Sequence, residues 1–343
     1  MESTVSKAKE NKILLVAIDD GYAQAKIYGE DENGKLHQNI VRSSIKSGKH
    51  IGGFAGGFVG AYQTEEGETF TVSDSIEGES TRFNDFHISS MNRALINHGL
   101  IASGYSGKKV NLVCGVPIED YFKDGSVNTE FLERKKVNLM KKVKVLSDKY
   151  SSPEIESVEV FAQAAAAFID FVLDDKLEYR EDPTKNVAII DIGGRTTDIA
   201  VIQNGQEIVH ERSGTSNIGA LDVYKALEKK IRKKFDNDDP ISSKRLDRAV
   251  RENVIDLFGE DTNIKELVDE AIVDVEGQII RNVQGKIGSG SDLSSIVFVG
   301  GGSNIFKELH KRFPKNGKVS ENPEYSNVKG LYKYRKAIEL GII

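Results

Sequence analysis

The feature that most constrains this chain is an internal repeat. Ile18-Asp19-Asp20-Gly21-Tyr22-Ala23-Gln24-Ala25-Lys26-Ile27 aligns with Ile190-Asp191-Ile192-Gly193-Gly194-Arg195-Thr196-Thr197-Asp198-Ile199, matching an Asp, a Gly and two flanking Ile in register. Each copy ends an apolar strand on a carboxylate and turns through glycine into a second strand. One Asp-Xaa-Gly string alone reads as an ordinary β-turn. Two copies in register imply a duplicated unit, hence two pseudo-symmetric lobes with a ligand between them. At 343 residues the chain also exceeds what a single hydrophobic core usually serves.

The chemistry of the repeat suits a polyphosphate. Glycine lets backbone N–H groups approach phosphate oxygens, whereas a carboxylate repels phosphate and calls for an intervening hydrated Mg²⁺. Asp20 and Asp191, joined by Asp19, are the expected metal-holding carboxylates, acting through water. Lys26, on the return strand, is expected to offer a point charge to the phosphates. A third glycine turn, Gly300-Gly301-Gly302-Ser303, follows the apolar strand SSIVFV. No P-loop string, Gly-x-Gly-x-x-Gly turn after a first strand, or kinase catalytic loop occurs in the sequence.

The rest of the pattern is α/β. After a polar leader (1–11), residues 12–182 read as a first lobe, beginning with a β-meander and containing a small subdomain at about 45–90. Pro183 marks the break to a second lobe at 183–325, with a helical subdomain at about 220–288; a closing helix at 326–343 returns to the first lobe. Within the second lobe SSKRLDRAVRENVIDLF reads as one amphipathic helix. TEFLERKKVNLMKKVKVL begins as a basic helix.

Composition narrows the function. A net charge of −6, from 47 basic and 53 acidic residues, argues against direct nucleic-acid coating. No apolar run is long enough for a membrane span or signal peptide, which implies the cytoplasm. Cys114 lies in the apolar run VNLVCGVP and reads as a buried small hydrophobe, and the six histidines lack metal-ligand spacing.

In order along the chain stand IDDGYAQAK, VFAQAAAA, IDIGGRTTD, VFVGGGSN and a closing helix. This set resembles the superfamily of actin, the heat-shock chaperones and the sugar kinases. IDDG, NRALINHGL, VNLVCGVPIEDYF and FLERKKVNLMKKV are most similar to the ParM/StbA plasmid-partition branch. The resemblance implies the actin-like ATPase fold: two ribonuclease-H-like lobes, each a mixed sheet flanked by helices, with a nucleotide cleft between them. It implies Mg²⁺-dependent ATP hydrolysis, GTP remaining open. Gln163 would orient the attacking water, where ParM proteins commonly carry a glutamate. Asp20 and Asp191 would act with it, and Lys136 of the ERKK string would approach the nucleotide. The remaining nucleotide contacts implied are Asp19, Gly21, Tyr22, Lys26, Gly193, Gly194, Arg195, Thr196, Gly219, Gly300, Gly301, Gly302 and Ser303, with Asp222 near the ribose.

The partners implied are copies of the chain itself, in an ATP-dependent filament, and an adaptor bound to centromere-like plasmid DNA, with no direct nucleic-acid or membrane contact. The aromatic-glycine stretch around Phe54 and Phe58 is a candidate filament contact. A small-molecule kinase of the same superfamily, a chaperone ATPase lobe and a nucleotide-binding scaffold with little hydrolysis are the competing readings.

Overall fold

A computed structural model describes residues 12–50 and 60–343, apart from 75, 77, 82 and 237. The leader at 1–11 and the Phe54/Phe58 stretch lie outside the described residues.

Each half of the repeat nucleates a sheet. In the first, Leu14–Asp20 pairs antiparallel with Gln24–Glu30, which pairs antiparallel with Leu36–Arg42. Lys109–Val116 and Glu154–Ala162 then add in parallel on the other side. The second sheet repeats the plan: Val187–Ile192 runs antiparallel to Thr197–Gln203 and parallel to Ser295–Val299, with Gly317–Val319 beyond. Leu14–Asp20 and Val187–Ile192 are buried along their whole length, as centrally placed strands covered on both faces must be. Their apolar runs supply the core, each fully buried Val, Leu or Ile contributing on the order of 1.5–3 kcal/mol.

Two helices lie between the sheets. Ala164, Ala165 and Phe168 of helix Gln163–Val172 pack with Val187, Ile189 and Ala200 of the second sheet. Val328 and Leu331 of helix Ser326–Glu339 pack with Leu15, Ala17 and Val113 of the first. The two helices cross so closely that a Cβ on Gly330 would stand 1.7 Å from the carbonyl oxygen of Ala166. The alanine-rich composition is what permits this approach. Buried Lys333 locks the crossing, donating to Asp170 at 2.8 Å and to the carbonyl of Leu173 at 2.9 Å.

Two expectations change. The helix begun at Thr129 stops at Met140, and Val143–Val145 becomes a strand on the edge of the small sheet that also holds Gly60–Thr64, Thr69–Val72 and Ile45–Ser47. The helix begun at Ser243 ends at Glu252, because Asn253 adopts φ 57, a left-handed conformation that asparagine tolerates. Val254–Leu257 then pairs with Glu260–Asn263 as a hairpin. The alternation of Ile255 and Leu257 inward with Asp256 outward is the period of a strand, which the helical reading overran. Among the described residues, no helix is long and apolar enough to cross a membrane.

Candidate functional site

The two glycine turns meet. A Cβ on Gly194 would stand 2.7 Å from the Cβ of Ala23, and the Arg195 guanidinium lies 5.1 Å from the centre of the Tyr22 ring, a cation–π contact between the repeats. Behind them opens a cleft of about 1210 Å³ between the lobes, reached by Asp19, Lys26, Gln163, Asp191, Thr196 and the Gly300–Gly302 turn.

Strand register selects the side chains that face the cleft. Asp19 is paired with Lys26 across the first hairpin, and Asp191 with Asp198 across the second, so these four occupy equivalent positions of the repeat. Lys26 Nζ lies 3.3 Å from Asp19 Oδ2, and Gln163 Nε2 donates to Asp19 Oδ1 at 2.8 Å. That bond directs the amide oxygen of Gln163 away from the carboxylate. Room for Gln163 exists because position 115 is glycine: a Cβ there would stand 2.6 Å from Gln163 Cγ. Burial alone would lower the Lys26 pKa, but Asp19 and Asp191 outweigh it and hold the ammonium above its ordinary value.

The second hairpin is short of positive charge. Burial, followed by repulsion from Asp198 and Asp19, pushes Asp191 up to about 7. Asn327 donates to its Oδ2 at 2.7 Å, while Oδ1 is buried without a partner. Gly300, at φ 82, leaves space for that atom, since a Cβ would stand 2.2 Å from it. Burial raises Asp198 to about 6 despite hydrogen bonds from the Thr215 and Thr196 hydroxyls and the Ile118 N–H.

Asp20 is placed elsewhere. Adjacent strand residues point to opposite faces, and Asp20 turns away from the cleft into a fully buried cluster. Its Oδ2 accepts from Lys135 Nζ at 2.7 Å, Asn92 Nδ2 at 2.7 Å and His87 Nδ1 at 3.1 Å. Burial opposes its ionisation, but Lys135 and His87 overcome this and hold its pKa down at about 2. A carboxylate so enclosed does not reach a metal in the cleft, and the repeat alignment, which sets Asp20 against Ile192, carried that signal. Lys136 is likewise corrected: it lies on the solvent side of its helix, paired with Glu133 at 2.7 Å, while Lys135 is the buried member of the pair.

The remaining expected residues divide between cradle and scaffold. The carbonyls of Gly193 and Gly194 accept from the N–H groups of Ala220 and Leu221, joining the second turn to the start of helix Ala220–Phe235. Gly219 fits against those carbonyls at a distance no side chain allows, 2.7 Å from its Cβ position. Asp222 accepts from the Gly219 N–H at 2.9 Å, closing the helix N-terminus, and also pairs with Lys225. Ser303 donates to the Val299 carbonyl at 2.7 Å and is buried. The Gly21 carbonyl accepts from Ser43. Residues not anticipated include Asp198, His87, Lys135, Asn327 and Arg42; only Asp198 had a sequence signal, as the repeat partner of Lys26.

The fold and cleft are those of an actin-like protein. Residues 14–172 match the family described as plasmid segregation protein ParM, N-terminal, and residues 189–311 match archaeal actin homologue MreB-like, C-terminal. The chain thus has the actin-like fold and is similar to ParM over its N-terminal part. Among solved structures it is similar to the archaeal actin homolog Ta0583, at 22% identity and TM-score 0.75, covering 94% of this chain and 99% of that one. It is similar to the same protein in complex with ADP, at 23% identity and TM-score 0.73, over 96% and 100% of the chains. A 15-stranded ParM filament from Clostridium botulinum gives 22% identity and TM-score 0.73, over 95% and 99%. No curated protein sequence matches.

Proposed function

We propose that the protein binds Mg²⁺-ATP in the interlobe cleft, hydrolyses it, and uses the cycle to control a filament that segregates plasmid DNA through a DNA-bound adaptor. The observation that carries the nucleotide reading is the convergence of Asp19, Asp191, Lys26 and Gln163 on one cleft between two touching glycine turns. Filament formation and plasmid segregation rest on the likeness to ParM proteins.

The residues fit a hydrated cation. The orphaned Oδ1 of buried Asp191 and the raised pKa of that carboxyl mark a place deficient in positive charge. Among the described residues no three His, Cys, Asp or Glu side chains are grouped to hold a metal directly, which suits Mg²⁺ retained through its waters. Asp19 and Asp191 would hold it so, and when bound it would neutralise phosphate charge. Lys26 supplies a fixed ammonium to the phosphates. The Gly21 and Gly193-Gly194 turns line the same cleft and would bring backbone close to the phosphates, and the Gly300–Gly302 turn would receive the nucleoside. Gln163, anchored through Nε2, presents its amide oxygen to accept a hydrogen bond from water and orient it for in-line attack. An amide orients water without taking its proton, so positioning and charge neutralisation carry the catalysis.

Light scattering combined with phosphate release, on purified protein with Mg²⁺-ATP, tests the reading. Both signals are expected. Scattering without phosphate would favour the inert scaffold, and neither signal would reject the filament ATPase.

A further inference from the structure

The duplication extends from the hairpins to the helices. In the first sheet the edge strand Glu154–Ala162 runs directly into helix Gln163–Val172. In the second the edge strand Gly317–Val319 leads, after a short turn, into helix Ser326–Glu339. Each edge strand lies parallel to the strand that flanks the central one, so the two helices are equivalent members of the repeat. Each sends one amide into the cleft from its first turn. Gln163, the first residue of its helix, donates to Asp19 at 2.8 Å; Asn327, the second residue of its helix, donates to Asp191 at 2.7 Å. Asp19 and Asp191 are themselves repeat partners, so Asn327 stands in the second lobe where Gln163 stands in the first.

The helix gains little from this asparagine. Asn is a weak helix former whose favoured place is the N-cap, but Tyr325 holds that position and no side chain caps the helix. Asn327 is only 5% exposed, and its Oδ1 is buried without a partner. Asp191 Oδ1 is in the same condition, and both residues line the interlobe cleft. Buried acceptors left unpaired within the chain point to a ligand that pairs them. Because both atoms are acceptors, that ligand carries protons or positive charge; a bare phosphate oxygen offers neither.

We infer that Asn327 is a second positioning amide of the cleft. Its Nδ2 fixes the Asp191 carboxylate through Oδ2, and its Oδ1 joins Asp191 Oδ1 in accepting hydrogen bonds from the water shell of the bound cation. The inference rests on the Mg²⁺-nucleotide site of the proposed function, but neither on hydrolysis nor on self-assembly. It also ties the cation to the lobes. The helix that carries Asn327 packs on the first sheet through Val328 and Leu331, whereas Asp191 belongs to the second.

Mn²⁺, a paramagnetic stand-in for Mg²⁺, titrated by EPR onto the full chain with ADP provides the test. Asn327→Leu keeps the approximate volume and removes both polar atoms. Its Mn²⁺ dissociation constant is expected to rise about tenfold, the scale of a lost supporting group at a metal site, with ADP affinity in EDTA unchanged. Asn327→Asp keeps the oxygen but loses the donor and sets two buried carboxylates together. It is expected to melt below the parent with ADP alone, and to gain more than the parent does when Mn²⁺ is added. A merely structural asparagine would shift the melting temperature equally with and without the cation. An Asn327→Leu protein that binds Mn²⁺ like the parent overturns the inference and leaves the nucleotide reading standing. So does an Asn327→Asp protein whose cation-induced rise is no larger than the parent's, and this variant decides alone if Asn327→Leu does not fold. A parent that binds no Mn²⁺ with ADP overturns both.

Discussion

Arg42 and Asp247, which belong to different lobes, meet across the mouth of the cleft with Nη2 2.7 Å from Oδ2. Asp247 is held for this contact: its Oδ1 accepts from the Tyr224 hydroxyl at 2.7 Å and from Arg251 Nε at 3.0 Å. Burial would raise its pKa, but these bonds and the two guanidinium groups keep it below the ordinary carboxylate range. The depressed pKa means the contact persists above the ordinary carboxylate pKa and fails only as the pH falls through the lowered value. Because Arg42 is partly exposed, the pair contributes little to global stability.

Its effect is expected on opening. Arg42→Ala and Asp247→Asn should each accelerate release of a fluorescent nucleotide by several-fold in stopped flow, with thermal stability nearly unchanged. The exchanged pair Arg42→Asp/Asp247→Arg should recover part of the loss. Release rates equal to the parent's would show that the pair does not restrain the lobes.

Asp191 ties stability to pH in the ligand-free protein. Its folded pKa, about 7, lies above the ordinary 3.8. The stability associated with its protonated form is therefore fully present below 3.8 and is lost as pH rises through 7, at up to about 1.4 kcal/mol per pH unit. Asp191→Asn should flatten this slope and raise the melting temperature at pH 8, yet abolish Mg²⁺-dependent nucleotide binding. Calorimetry of the parent near pH 6 should show proton release on binding. Binding by Asp191→Asn at parental affinity would contradict the role given to this carboxylate.

Gln163→Ala should preserve nucleotide affinity and slow single-turnover hydrolysis by about 10²-fold, the scale of one lost positioning group. Unchanged turnover would remove Gln163 from the mechanism.

Lys135 and Lys136 should behave oppositely despite their adjacency. Lys135→Ala removes the ammonium that neutralises the enclosed Asp20 carboxylate, leaving only the Asn92 and His87 contacts, and should destabilise the protein by about 3–5 kcal/mol in urea unfolding. Lys136→Ala breaks only a surface pair and should stay within about 0.5 kcal/mol. Asp20→Asn combined with Lys135→Met should regain much of the lost stability. Equal effects of the two alanine variants would contradict this division.

The sequence by itself determined the duplicated hairpins, the pairing of Asp19 with Asp191, the apolar strands, the alanine-rich helix and the closing helix, because strand period and glycine turns are local properties. Even the separation of Asp19 from Asp20 was legible, since alternate strand residues face opposite ways and Ile192 occupies the second position of the repeat. Tertiary structure alone decided that Lys135 rather than Lys136 turns inward, that Asn327 meets Asp191, and that Arg42 meets Asp247. Each depends on which face of one element lies against an element many residues away, and no spacing within a single segment encodes that. The hairpin after Asn253 belongs with them: a short strand's preference is settled by whether a partner strand is present, and here Glu260–Asn263 supplies it.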